Sequence, residues 1–168
     1  MSPARILVVD DEADIRSTIS DILTDEGYAV TVAGNAAEAR NEVQGATPDL
    51  ILLDVWMPDI DGITLLREWT EAGTPDCPVV ILSGHGTVET AVEATRLGAV
   101  DFVEKPLSLA KLLRTVRKSL DRSKRTQHAI PKSLRSNFGT ILSSTFMSFP
   151  LSRSTRHSTL ETRPFSFN

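Results

Sequence analysis

The sequence predicts an α/β domain built on a doubly wound parallel sheet, and three observations lead to that class. Five short apolar runs recur along residues 1–122, and each is followed by apolar residues at helical spacing. The runs are apolar throughout rather than alternating, which is typical of strands covered on both faces. The strict alternation of strand and helix favours parallel connections within one sheet.

The first two strand–helix units are defined by apolar runs and by residues that start or stop helices. The first strand is predicted at residues 6–9, and apolar residues at helical spacing then predict a helix through Ile15, Ile19, Ile22 and Leu23. Gly27 stands where a glycine commonly ends a helix. The second strand is predicted at residues 28–33, and Asn35 is expected to cap a short helix that runs to about Gln44.

Three more units follow the Thr47-Pro48 break. The third strand is predicted at residues 50–53, the most apolar run of the chain, and its helix carries Ile63, Leu66 and Trp69 on one face. The fourth strand is predicted at residues 78–82, before a helix that ends at Gly98 and carries on one face Val88, Ala91, Val92 and Thr95. The fifth strand is predicted at residues 101–103, and the last helix has a stripe of Leu109, Leu112, Leu113, Val116 and Leu120.

Composition divides the chain into two unlike parts. Residues 1–122 contain 11 Lys/Arg and 21 Asp/Glu, whereas residues 123–168 contain seven Lys/Arg and the single acid Glu161. The second part also has 16 Ser/Thr and loses apolar periodicity, so we expect a disordered or weakly structured basic tail at 123–168. The alternative is a truncated or non-native output segment. The acidic first part argues against nucleic-acid binding there, because phosphate contacts need Lys and Arg.

The cellular setting is read from the cysteine count and from hydropathy. Cys77 is the single cysteine of the chain, which excludes an internal disulfide framework and fits a reducing compartment. The apolar run at residues 6–9 is far too short for a secretory signal or a membrane span. We therefore expect a cytoplasmic protein without a membrane partner.

Polar residues stand at the ends of four predicted strands. Ligands of parallel α/β sheets bind beyond the carboxyl ends of the strands, so the residues that follow each apolar run are the candidates for a site. These residues are Asp10, Asp11 and Glu12 after the first strand, Asp54 at the end of the third, Ser83 at the end of the fourth, and Lys105 after the fifth. The fold should bring them to one edge of the sheet.

This set of residues suits phosphoryl transfer to a carboxylate. Crowded carboxylates repel one another unless a cation lies among them, and oxygen ligands without His or Cys favour Mg²⁺. Asp54 ends the central strand alone and faces Lys105 and Ser83, so we assign it as the phosphoryl acceptor. Taken singly, an acidic helix start or a buried salt-bridge lysine explains each residue as well; their joint occurrence at four strand ends favours the site.

Four motifs resemble those of bacterial response-regulator receiver domains. The motifs are Val8-Val9-Asp10-Asp11-Glu12, Leu52-Leu53-Asp54-Val55-Trp56-Met57-Pro58-Asp59-Ile60-Asp61-Gly62, Ile81-Leu82-Ser83-Gly84-His85 and Phe102-Val103-Glu104-Lys105-Pro106. They occur in the right order and spacing, and the resemblance covers residues 4–122. The resemblance implies a flavodoxin-like five-stranded sheet of order 2-1-3-4-5 and phosphorylation by a sensor histidine kinase.

The resemblance also assigns roles to individual residues. It implies that Asp54 is phosphorylated and that Asp11, Asp54 and the carbonyl of Trp56 hold Mg²⁺ directly, with Asp10 acting through water. It makes Ser83 and Lys105 the phosphoryl-sensing pair and Phe102 the aromatic switch, although Phe102 alone would be read as an ordinary core residue. It further implies a cis peptide bond between Lys105 and Pro106.

Residues 83–91 and 98–102 are most similar to the nitrogen-regulatory (NtrC/NtrX-like) subgroup of transcriptional regulators. Members of that subgroup continue into an ATPase domain and a helix-turn-helix. This sequence has no Walker-type Gly-Lys-Ser/Thr loop, so we do not assign DNA binding to this chain itself.

The expected mechanism is a conformational switch of the surface formed by the last two helices and the fifth strand. Phosphorylation would draw Ser83 toward the phosphoryl group and let Phe102 turn inward, which reshapes the face formed by helix 88–97, strand 101–103 and helix 109–120 for dimerisation or output. Trp56 either shields the acyl phosphate, so that self-dephosphorylation is slow, or contacts a partner; the sequence leaves both open.

Two other function classes remain to be compared. A hydrolase of the same fold with an Asp nucleophile normally places a second acid two residues later, where Trp56 stands. A pseudo-receiver would be expected to lack Asp54, Ser83 or Lys105, and none of them is lacking. We therefore predict a phosphoacceptor that catalyses only its own phosphorylation and dephosphorylation.

Overall fold

The computed structural model describes residues 2–84 and 87–129, and in that part strands and helices alternate five times. The elements are β1 Arg5–Val9, α1 Ala13–Asp25, β2 Ala29–Ala33, α2 Ala36–Gly45, β3 Leu50–Asp54, α3 Gly62–Ala72, β4 Val79–Ser83, α4 Val88–Arg96, β5 Asp101–Glu104 and α5 Leu109–Ala129. Each predicted strand agrees with an observed one to within a residue at either end.

All five strands pair in parallel, in the order β2-β1-β3-β4-β5. This is the order that the family resemblance implied, and the prediction is confirmed. The central strand β3 is buried along its whole length because β1 and β4 flank it and helices cover both faces. Its last residue, Asp54, therefore emerges at the middle of the sheet edge.

Successive residues of each strand point to opposite faces, which divides the core into two layers. In β1, Leu7 and Val9 belong to the layer under α2, α3 and α4, whereas Ile6 and Val8 belong to the layer under α1 and α5. The first layer includes the predicted α3 residues Ile63, Leu66 and Trp69. The second includes Ile19 and Leu23 of α1 with Leu112, Val116 and Leu120 of α5.

Local sequence signals fix several helix ends. The side chain of Asn35 accepts a hydrogen bond from the N–H of Glu38 at 2.9 Å, which is the N-terminal cap predicted for α2. Gly27 and Gly98 follow α1 and α4 with φ angles of 85° and 97°, a backbone conformation that favours glycine. Both glycines therefore end their helices as the sequence predicted.

The apolar stripe of α4 faces solvent rather than the core. Val88 is 76% exposed and Val92 is 44% exposed, while the residue that α4 buries is Ala94. A short helix beside an edge strand packs only a narrow side against the sheet. The periodicity therefore located the apolar stripe of α4, but it did not show whether that stripe faces the core or solvent. In the same way, Leu109 at the start of α5 is 53% exposed.

Helix α5 continues to Ala129, past the domain boundary that the sequence predicted at residue 122. The apolar stripe ends at Leu120, but residues 121–129 contain no Pro or Gly and are rich in Lys and Arg, which are good helix formers. Residues 130–168, most of the predicted tail, lie outside the described residues, as do His85 and Gly86 of the fourth-strand motif. None of the helices in the described ranges has the length and apolar character needed to cross a bilayer.

Candidate functional site

The carboxyl ends of four strands bring the predicted site residues together. The Nζ atom of Lys105 lies 2.7 Å from Oδ2 of Asp10 and 3.0 Å from Oδ1 of Asp54. Ser83 ends β4 next to them, and its carbonyl accepts a hydrogen bond of 2.7 Å from the N–H of Lys105. The Lys105–Pro106 peptide bond that follows is cis.

Asp10 is fully buried and held from several directions. Its Oδ1 accepts a hydrogen bond of 2.9 Å from the N–H of Glu12, and its own N–H donates to the carbonyl of Ala33 at 3.1 Å. Its Oδ2 forms the ion pair with Lys105. A buried carboxylate with a fixed orientation is thus present beside the end of β3.

Asp54 is 2% exposed and lies in an environment that disfavours its charge. Burial raises the pKa of its carboxyl to about 6; the hydrogen bonding and charge of Lys105 oppose that rise, and the charges of Asp10 and Asp11 add to it. Its Oδ2 accepts a hydrogen bond of 3.2 Å from the N–H of Trp56. The carboxylate at this position is therefore stabilised by any further positive charge that enters the site.

Lys105 remains a cation at neutral pH. Burial by itself would lower the pKa of its ammonium, but Asp10 and Asp54 outweigh burial and raise the pKa above its ordinary value. Although both carboxylates are at ion-pair distance, neither Asp10 Oδ2 nor Asp54 Oδ1 has a hydrogen bond of normal geometry within the described part of the chain. A third contact, 3.4 Å to the exposed Glu12, adds little because solvent screens it.

Three carboxylates form a donor set that fits a divalent cation. Asp10, Asp11 and Asp54 each offer an oxygen within 4.8 Å of the others. Asp10 and Asp54 are buried and Asp11 is exposed, so the cluster opens to solvent on one side. An all-oxygen set that leaves room for water suits Mg²⁺, which keeps part of its hydration shell in proteins.

Ser83 contributes a buried hydroxyl with unused hydrogen-bonding capacity. It is fully buried, and its Oγ has no hydrogen-bond partner among the described residues. Buried polar atoms without a partner are rare in folded proteins and cost free energy. The end of β4 therefore retains an unused donor close to Asp54 and Lys105.

Trp56 and Phe102 lie in different environments. Trp56 is 62% exposed and borders an open cleft at the site, which is lined by Asp11, Glu12, Ile15, Asp54, Trp56, Gly84, Lys105 and Pro106. Phe102, on β5, is half-buried and packs against the core layer under α2, α3 and α4. The tryptophan is thus available to solvent or partners, and the phenylalanine lies between surface and core.

Two residues near the site were given no role by sequence reasoning. Arg16 on α1 donates a hydrogen bond from Nη1 to the carbonyl of Asp10. Gly62, the first residue of α3, lies so close to β3 that a Cβ atom there would be 2.0 Å from the carbonyl oxygen of Asp54. A glycine at the first position of a helix was the one signal available for Gly62, and periodicity gave none for Arg16.

Comparison with known proteins agrees with the observed fold. Residues 6–117 match the family described as response regulator receiver domain, and the chain belongs to that family. The predicted similarity to the nitrogen-regulatory subgroup is confirmed. The chain is 42% identical over 118 residues to the nitrogen assimilation regulatory protein NtrX of Azorhizobium caulinodans, covering 69% of this chain and 26% of that protein.

Solved structures give the same placement. The receiver domain of NtrX from Brucella abortus is 43% identical with a TM-score of 0.65, covering 69% of this chain and 98% of that one. The beryllofluoride-activated NtrC4 receiver domain dimer is 41% identical with a TM-score of 0.67, covering 71% and 98%. The chain spans about a quarter of the length of the first curated relatives it matches. The matched residues correspond to the receiver domain of NtrC/NtrX-type response regulators, a class of protein that acts in two-component signalling.

Proposed function

We propose that this chain accepts a phosphoryl group on Asp54 from a sensor histidine kinase, in a reaction that requires Mg²⁺. The observation that carries the proposal is the arrangement at the sheet edge: three carboxylate oxygens within 4.8 Å, with the Lys105 ammonium 3.0 Å from Asp54. Asp10, Asp11, Asp54 and the carbonyl of Trp56 would hold the ion. When bound, Mg²⁺ supplies charge neutralisation for the phosphoryl oxygens.

The transfer step places each residue of the site in a defined role. An oxygen of Asp54 forms a bond to phosphorus as the phosphorus–nitrogen bond of the kinase phosphohistidine breaks, and the released imidazole takes up a proton. Lys105 contacts one phosphoryl oxygen through its ammonium, and the unused hydroxyl of Ser83 donates to another. Hydrolysis by water later returns the Asp54 carboxylate and inorganic phosphate, and these two steps are the only catalysis that we propose for the chain.

Phosphorylation is proposed to act on the face formed by α4, β5 and α5. Movement of Ser83 toward the phosphoryl group would free space for Phe102, which is half-buried on the neighbouring strand. The face already exposes Val88 and Val92, an apolar stripe without a cover in the described part of the chain. A homodimer through this face fits that exposure, and the structural relative NtrC4 is described as an activated receiver domain dimer.

The kinase is proposed to approach across the open cleft and the groove next to it. The groove runs between α1 and the start of α5 and is bordered by Ile15, Pro106 and Leu109, so it continues from the acceptor cleft along an apolar path. The single cysteine, Cys77, is a free thiol, in keeping with a reducing cytoplasmic setting for this exchange.

Incubation with acetyl phosphate and Mg²⁺, followed by intact mass measurement, tests the proposal. We expect a mass increase of one phosphoryl group that is absent without Mg²⁺ and absent in Asp54→Asn. Asp49→Asn, which changes an exposed carboxylate bonded to the N–H of Arg5, serves as the control and should still be labelled. Labelling that persists in Asp54→Asn would reject the acceptor assignment.

The same experiment separates the other two function classes. A hydrolase would consume acetyl phosphate over many turnovers without holding the adduct, and a pseudo-receiver would show neither turnover nor adduct. The structure favours neither, since Trp56 and not an acid follows the acceptor by two residues, and Asp54, Ser83 and Lys105 lie together.

A further inference from the structure

Arg16 reaches back from the first turn of α1 to the end of β1. Its Nη1 donates a hydrogen bond of 2.5 Å to the main-chain carbonyl of Asp10. Its own N–H donates to the carbonyl of Glu12 at 3.0 Å as part of the first helical turn. One residue thus contacts the main chain on both sides of Asp11.

The positive charge of Arg16 lies at the N-terminal end of α1, where it would by itself destabilise the helix. The N-terminus of a helix carries a partial positive charge, so a cation in the first turn is disfavoured by about 0.3–1 kcal/mol at the surface. Arg16 is nonetheless half-buried there, folded toward the acidic edge of the sheet. Its contact with Asp10 offers the compensating interaction.

The carbonyl of Asp10 needs the donor that Arg16 provides. Strand β1 ends at Val9, so the next carbonyl lies beyond the paired register of the sheet, while the residue that carries it is fully buried. Buried main-chain carbonyls are almost always hydrogen-bonded. With this bond, the N–H, the carbonyl and both carboxylate oxygens of Asp10 all have a hydrogen-bond or ion-pair partner.

We propose that Arg16 is a positioning residue for the metal site: it fixes the turn that carries Asp10 and Asp11 opposite Asp54. It is not a ligand, since a cation repels the metal, and it acts through the main chain of the acidic turn. This inference rests on the proposed Mg²⁺ site and adds the residue that presets its geometry.

Gly34 gives an independent way to disturb the same side chain. A Cβ atom at Gly34 would lie 3.2 Å from Nη1 and 3.3 Å from Cζ of Arg16, so the guanidinium has to shift to make room for it. The φ angle of Gly34 is not in the left-handed region, and alanine can adopt its backbone conformation. Gly34→Ala therefore moves Arg16 without removing it.

The test is a titration of the full chain with Mg²⁺, in which tryptophan fluorescence reports binding. Trp56 is exposed at the site and should respond, whereas the buried Trp69 gives a constant background. Arg16→Gln is expected to weaken Mg²⁺ binding by about tenfold, as expected when a residue that supports a metal ligand is lost. Gly34→Ala should weaken it less, in the same direction.

Two matched controls accompany these variants. Arg40→Gln removes the same charge from α2, where Arg40 pairs with Glu68, and Gly45→Ala adds a methyl group where no atom lies within 4 Å. Both should bind Mg²⁺ like the unmodified chain. A change in either of them equal to that of Arg16→Gln would make the effect one of net charge or general perturbation and overturn the proposal.

The remaining outcomes separate this inference from the proposed function. Arg16→Gln with unchanged Mg²⁺ affinity overturns the inference even if the variant melts at a lower temperature, because that result assigns Arg16 to stability alone. If Arg16→Gln fails to fold, Gly34→Ala decides, and unchanged affinity there overturns it. An unmodified chain that does not bind Mg²⁺ rejects the metal site itself, and the inference with it.

Discussion

The first residue of α3 touches the main chain of the acceptor residue. A Cβ atom at Gly62 would lie 2.0 Å from the carbonyl oxygen and 2.9 Å from the carbonyl carbon of Asp54, and both contacts are far inside van der Waals distance. The N–H of Gly62 also donates to the carbonyl of Val55 at 2.8 Å. The helix and the end of β3 are thus packed directly, backbone against backbone.

Gly62→Ala is therefore expected to destabilise the fold and to disturb the acceptor. Overpacking of this kind costs about 1–3 kcal/mol, and here it pushes on the backbone that carries Asp54. Urea unfolding should show the loss, and labelling by acetyl phosphate should slow. Gly45→Ala is the control, since the space around Gly45 is open. Equal stability of the two variants would contradict this account of the close approach.

We expect Trp56 to shield a phosphoryl group on Asp54 and so to lengthen its lifetime. Trp56 is 62% exposed beside the open cleft, and its main-chain N–H donates a hydrogen bond to Oδ2 of Asp54. Trp56→Asn replaces the indole with a group that can orient water, so we expect a phosphoryl half-life that is shorter by severalfold, measured by intact mass over time. Val32→Thr changes an exposed residue of the edge strand β2 and should leave the half-life unchanged. An unchanged half-life in Trp56→Asn would leave partner contact as the role of Trp56.

Among single residues, those that the sequence predicted share one property. Asp10, Asp54 and Ser83 stand at strand ends, and a general rule of parallel sheets places strand ends together. Arg16 and Gly62 act through contacts with main-chain atoms of other segments, which leave no periodic trace in the sequence. They became visible only once the segments were packed.

Among the elements, α2 depends on a residue from a distant loop. The Oδ2 atom of Asp59, between β3 and α3, accepts a hydrogen bond of 3.0 Å from the N–H of Ala36 at the start of α2. Asn35 caps the same helix by accepting a hydrogen bond from the N–H of Glu38. The loop that carries Trp56 is therefore tied to a neighbouring helix.

Asp59→Ala should cost about 1 kcal/mol of unfolding free energy, the usual value for the loss of an N-terminal cap. Chemical denaturation at pH 7 measures it. Asp121→Ala removes an exposed carboxylate from α5 and should change stability little. If Asp59→Ala is as stable as Asp121→Ala, the contact with Ala36 contributes nothing to the fold.

The sequence predicted where the helices and strands occur better than it predicted how the helices are oriented and how long they are. Apolar periodicity located α4 and α5, but it did not reveal that Val88 and Val92 face solvent or that α5 continues to Ala129. Orientation depends on which neighbours cover a helix, and length depends on polar residues with good helix propensity. Neither property is contained in an apolar stripe.

At the scale of the whole molecule, the exposed stripe of α4 should become an interface on activation. Beryllofluoride with Mg²⁺ is expected to increase the hydrodynamic size of the full chain to that of a dimer, measured by light scattering. Val92→Asp should prevent this because it buries a charge in an apolar contact, whereas Val32→Asp, on the other edge of the sheet, should not. An unchanged size of the unmodified chain in Mg²⁺ would contradict dimerisation.

The contact between Lys105 and Glu12 joins residues that are 93 positions apart. The ion pair between Lys105 and Asp54 joins the ends of β5 and β3, which have β4 between them in the sheet. The acceptor environment consequently exists only after the fifth strand has docked, and a chain still emerging from the ribosome, or one partly unfolded by heat, presents Asp54 as an ordinary carboxylate. On the proposed function, phosphorylation would therefore depend on complete folding, because a kinase that recognises the assembled edge would act on fully folded chains alone.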